Sequence, residues 1–154
     1  MTRQRLSPRA LEAPGYDDGT YGLVVADGLV TGLGEAAGGG GVKTAPFKFT
    51  GTLSVGTGAT KLRNLTGSAW TIVGVFAEVE VAPTGGAVTV DVNVSGTTIF
   101  TTQANRPSIA SGATDSGLVT SMDVTTVPPG GYLTVDVDAY ASPADRLMVT
   151  VVYS

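Results

Sequence analysis

Val88-Thr89-Val90-Asp91-Val92-Asn93-Val94 alternates β-branched apolar residues with short polar ones over its whole length. A two-residue period sends successive side chains to opposite faces of a strand. The valines therefore share a dry face, and Thr89, Asp91 and Asn93 share a wet one. Leu133, Val135, Val137 and Ala139 repeat the pattern against Thr134, Asp136 and Asp138. Both segments read as antiparallel strands with one face in a core.

Working outward from this pair, short runs rich in Val, Thr and aromatic residues place strands at 47–55, 60–64, 71–81, 87–95, 97–101, 118–124, 132–140 and 147–153. Pro83-Thr84-Gly85-Gly86, Ser95-Gly96 and Pro128-Pro129-Gly130-Gly131 supply the turns. Eight short strands at this spacing predict an all-β chain, an antiparallel β-sandwich of jelly-roll-like form.

The region before these strands reads differently. Residues 1–15 hold Arg3, Arg5 and Arg9 with Pro8 and Pro14 among Leu6, Ala10 and Leu11, which suits an extended arm. Two apolar runs between Tyr21 and Leu33, carrying Leu23 and Val25, flank Asp27-Gly28, a strong hairpin signal. Gly38 to Gly41 then make a permissive joint. The expected division is an arm, hairpin and joint over 1–41 and a sandwich over 42–154.

The strand around Phe76 breaks the simple alternation. Val73, Val75, Ala77, Val79 and Val81 fill one face, yet Ile72 and Phe76 lie on the other beside Glu78 and Glu80; Met148 and Val152 likewise oppose Leu147, Val149 and Val151. Apolar residues on a second face call for cover, from a loop of the same chain or from a neighbouring subunit. Ile72, Phe76, Met148 and Val152 are the candidate subunit interface. Arg3, Arg5, Arg9, Tyr21, Leu23 and Val25 are the candidate docking arm.

Composition narrows the chemistry. The 154 residues are 42% hydrophobic and only 14% charged, against roughly 25% charged in ordinary soluble domains. The net charge of −4 provides no overall electrostatic footprint for nucleic acid, and no apolar run reaches the roughly 18 residues of a membrane span. The basic start lacks the apolar stretch of a secretory signal, so synthesis and residence in a cytoplasm are expected. With no histidine and no cysteine, the usual general base, the Ser-His-Asp arrangement and thiolate chemistry are all missing.

Asp136 and Asp138, with Asp91 or Asp145, could offer oxygen ligands to calcium or a carboxylate pair for glycoside hydrolysis. The competing reading is a solvated outer face whose charges discourage edge pairing. Alternation alone accounts for these residues, and no loop shows ligand spacing. No metal and no cofactor is therefore expected. The glycine-rich segments lack the Lys-Ser/Thr of a phosphate loop. Asn64-Leu65-Thr66 and Asn93-Val94-Ser95 fit the glycosylation pattern, and Trp70, Tyr132 and Tyr140 could either stack on a sugar or anchor the core.

Ala82-Pro83-Thr84-Gly85, Val88 to Asn93, Gly96-Thr97-Thr98-Ile99-Phe100, Arg106-Pro107-Ser108-Ile109-Ala110 and Val135-Asp136-Val137-Asp138 together resemble a module of tailed-phage virion proteins. It is the kind found in head decoration or head fibre proteins and in minor tail proteins. The resemblance covers residues 47–154 and supplies no catalytic residue. It implies a non-enzymatic structural protein at the virion surface that associates with itself, a trimer being favoured, and with a major capsid or tail protein. A short chain of one arm and one module suits decoration of the head. A tail or receptor-binding module, and a carbohydrate-binding sandwich with a glycan ligand, are the alternatives.

Overall fold

Strict alternation in the two valine-rich segments becomes two neighbouring strands of one sheet, with Val90 opposite Val137 and Val92 opposite Val135. The computed structural model describes residues 41–58 and 60–154, together with the backbone of two paired strands at 22–26 and 29–34. The chain divides into two units, 1–41 and 42–154.

In the first unit, β1 (Gly22–Ala26) and β2 (Leu29–Gly34) pair antiparallel, with Ala26 opposite Leu29 and a register shift at Val24/Val25. Asp27 and Gly28, the expected turn between them, lie outside the described residues. Arg3, Arg5, Arg9 and Tyr21 lie outside the described residues.

The second unit contains β3 (Lys43–Lys48), β4 (Gly56–Thr57), β5 (Leu62–Arg63), β6 (Trp70–Glu78), β7 (Val88–Val94) and β8 (Thr97–Thr98). These are followed by β9 (Ser108–Ile109), β10 (Asp115–Val119), β11 (Thr126–Val127), β12 (Tyr132–Ala139) and β13 (Met148–Tyr153). One sheet runs β10-β6-β13-β3 with β11 also on β6, and the other runs β4-β12-β7-β8 with β5 on β12 and β9 on β7. All pairings are antiparallel.

Taking β4/β5, β8/β9 and β10/β11 each as one interrupted strand leaves eight positions in chain order. The sheets are then 1-8-3-6 and 2-7-4-5, the strand order of a jelly roll. The expected all-β sandwich is what the chain forms. Ser95 and Gly96 both have positive φ (51° and 88°), the backbone that a two-residue I′ turn between β7 and β8 requires.

Several strand boundaries differ from expectation, each for a local reason. The first strand of the sandwich is 43–48, not 47–55. Pro46 lies inside it, which its position on the sheet edge permits, since proline is tolerated in edge strands. Beyond it the chain leaves the sheet and turns at Gly51, whose φ is 81°. The segment expected at 118–124 pairs at 115–119, displaced by a bulge at Gly117 with φ 67°. β4, β9 and β11 were not expected; two residues are too short to show a period.

The sheets enclose Val88, Val90, Val92, Leu133, Val135 and Val137 on one side and Val75, Ala77, Val149, Val151, Ala45 and Phe47 on the other. Burying a side chain of this size stabilises by about 1.5–3 kcal/mol before chain entropy is counted. Within β6 the inward face changes parity. Tyr153 pairs with Ile72 but Val152 pairs with Gly74, so Val73 is an extra residue. This bulge lets Ile72 (1% exposed) and Val75 both point inward and leaves Val73 at 39% exposure. Ile72 is therefore a core residue, not part of an outward surface, and Val73 and Val81 leave the face they were expected to fill.

Candidate functional site

The outer face of the β4-β12-β7-β8 sheet carries the carboxylates singled out in the sequence. Register sets Asp91 directly opposite Asp136, and Asn93 opposite Thr134. Asn93 donates from Nδ2 to Asp136 Oδ2 at 2.9 Å, and the Thr98 hydroxyl donates to Asp91 Oδ1 at 2.7 Å. Arg106, returning from the excursion between β8 and β9, forms a salt bridge with Asp138. Asp91, Asn93 and Thr134 are all buried although they face away from the core.

That burial raises the Asp91 carboxyl above its ordinary pKa, opposed by the Thr98 hydrogen bond and reinforced by the charge of Asp138. Asp136 Oδ1 is buried without a hydrogen-bond partner. The face is a ladder of short polar side chains that mostly bond to one another. Among the described residues no group of three or more His, Cys, Asp or Glu is placed to hold a metal ion.

The outer face of the other sheet is built from different residues. Phe76, Met148 and Val152, expected to share a surface, do share one, on adjacent strands β6 and β13 and half-buried. Cross-strand pairing adds Leu118 opposite Phe76 and Pro46 opposite Thr150. Leu118 is 61% exposed and lies over Gly74, where any Cβ would come within 2.8 Å of it. Leu118 and Pro46 were missed in the sequence. The Gly117 bulge that turns Leu118 onto this face was the available signal, and Pro46 precedes the strand expected at 47–55.

No family model, curated protein or solved structure matches the chain.

The other singled-out residues have structural occupations. Asn64 is fully buried and donates from Nδ2 to the carbonyls of Ser68 and Val127, while its Oδ1 accepts from the Thr66 amide and hydroxyl. Asn93 is likewise buried with Nδ2 committed to Asp136. Neither amide is presented for glycosylation in the folded chain. Trp70 is 8% exposed, donates from Nε1 to Thr66 and packs on the Tyr153 ring at 4.7 Å. Tyr132 sits under Lys61 and Arg63, 4.9 and 5.3 Å from its ring centre. Tyr140 packs against the core. Trp70 thus belongs with the core-anchor reading.

Asp123 accepts from the Thr102 amide at 2.8 Å, which holds its carboxyl below the ordinary pKa. A cleft of about 300 Å³ includes Phe47, Phe49, Leu53, Gly58 and Val135 in its lining. Another, about 430 Å³, has Lys48, Glu78, Glu80 and Arg146 around Phe49, Val79, Leu147 and Met148. Neither cleft is lined by Asp91, Asp136 or Asp138. Leu23 and Val25 lie in β1, and the arm arginines fall outside the described residues.

Proposed function

We propose that the chain is a structural protein of a phage particle, a capsid decoration protein that works by assembly. In this reading residues 1–41 dock on the major capsid protein or a neighbouring subunit, and the sandwich projects and meets further copies. Many weak repeated contacts then add through multivalency without a single tight site.

The observation that carries the reading is the contrast between the outer faces of the sandwich. One face ties its carboxylates to neighbouring side chains, through Asp91–Thr98, Asp136–Asn93 and Asp138–Arg106. The other gathers Leu118, Phe76, Met148 and Val152 and keeps its acids, Asp115 and Glu78, to one end, as a surface made to be covered would. The jelly-roll order agrees with this use, since viral capsid domains adopt it, although lectins and cupins do too. The phage-module resemblance of residues 47–154 supplies the setting.

Immunogold labelling of intact particles with an antibody to the full chain tests the location. Label over the head is expected. Label at the tail tip would replace decoration by a tail or receptor-binding role, and particles without label would contradict both.

A further inference from the structure

On the outer face of the β10-β6-β13-β3 sheet, register arranges the side chains in transverse rows. Gly74, Val152 and Thr44 form the first row, and Leu118, Phe76, Thr150 and Pro46 the second. Asp115, Glu78, Met148 and Lys48 form the third. The first two rows hold no charge. The third is acidic on its β10 and β6 side and basic on the β3 edge.

This pattern is complementary to itself under one rotation. A two-fold axis parallel to the strands, passing between β6 and β13, exchanges β10 with β3 and β6 with β13 while keeping each row in place. It sets Asp115 over Lys48 of a second copy, Leu118 over Pro46, Phe76 over Thr150 and Glu78 over Met148. An axis across the strands would instead lay Glu78 and Lys48 over the uncharged first row and lose both Asp115–Lys48 pairs, leaving Lys48 as well as the acids without partners. From this we infer that the outer face of the β10-β6-β13-β3 sheet is the self-association surface, and that a second copy of this chain packs on it about a two-fold axis parallel to the strands.

The sheet edges point away from edge-to-edge growth. Pro46 removes a donor from the β3 edge, and the opposite edge is interrupted between β10 and β11 and bulged at Gly117. Four strands and five residues of length span roughly 19 by 17 Å, an area of about 320 Å². A stable free-standing complex usually buries about 800 Å² on each partner. The pair is therefore weak in dilute solution and gains strength where a lattice holds copies close together. The inference specifies how copies meet in the proposed assembly and rests on that reading for its setting.

The test uses cross-linking of the full chain, which has no cysteine of its own. Thr150→Cys, close to the axis, is treated with a short bismaleimide, and Ser108→Cys on the other sheet serves as the comparison. A covalent dimer from Thr150→Cys and not from Ser108→Cys is expected. Its yield should fall about tenfold on Lys48→Glu or Asp115→Lys alone and return in the double variant. Lys48→Glu, on the opposite edge strand, keeps the reversal readable should Asp115→Lys disturb the bulge. Absence of the Thr150→Cys dimer, equal cross-linking at both sites, or a double variant no better than the singles would overturn the inference. The solution cross-link reads the face directly and does not depend on where on a particle the chain resides.

Discussion

The two outer faces of the sandwich solve the same problem in opposite ways. A sheet packed on one side must give its other side to water, to its own side chains or to a partner. The β12–β7 face uses short polar residues whose hydrogen bonds run across the strands, so Asp91 and Asn93 are buried without leaving the surface. The β6–β13 face uses Phe76, Met148 and Val152, whose apolar surface finds no hydrogen bond and is only half covered. A face satisfied internally has little to offer a partner, whereas an apolar one gains by being covered.

Substitutions can break this contrast, and the largest effect is expected at the β6 bulge. Ile72→Ala removes a side chain that the bulge turns into the core, and should destabilise the sandwich by about 2–5 kcal/mol in urea unfolding. A loss near zero would place Ile72 on the outer surface after all. Next comes Asn93→Ala, which removes the donor to Asp136 Oδ2 and leaves a carboxylate whose other oxygen is already unpartnered. A loss of about 1–3 kcal/mol is expected; a neutral result would mean that water already satisfies the ladder.

The Asp91 carboxyl offers a smaller, pH-dependent probe. Its folded pKa is raised, so the folded chain holds that proton more tightly than the unfolded chain, whose value lies near 3.8. The stability contribution is present below that value and disappears as pH rises through the raised one. The stability of Asp91→Asn relative to the parent should therefore increase from pH 3 to pH 7, read as the difference in thermal midpoints. A difference that shrinks over that range would give the shift the opposite sign. The least effect on folding is expected for Leu118→Ser, about 0.5 kcal/mol or less for an exposed side chain. The same variant should lose most of the Thr150→Cys cross-link, which separates association from folding.

Sequence period carried the central pair β7 and β12 because both strands alternate for at least seven residues, and it carried Phe76, Met148 and Val152 onto one face. It failed at Ile72 because a bulge inserts one residue and reverses every parity beyond it. Nothing in a run of valines marks where such a residue sits. β3 was misplaced because a proline has opposite meanings in central and edge strands, and edge position is a property of the whole sheet. The Arg106–Asp138 pair joins residues 32 apart in the chain and had no local signature. Asn64 looked like a glycosylation acceptor because its short motif is shared with a turn that buries it.

The contrast between the two faces is tested most directly by two-dimensional NMR of the full chain over a range of concentrations. Concentration-dependent shifts are expected for the amides of Thr44, Gly74, Phe76, Leu118, Thr150 and Val152, with those of Asp91, Asn93, Thr134 and Asp136 unmoved. Shifts centred on the second set, or none up to millimolar concentration, would contradict the account.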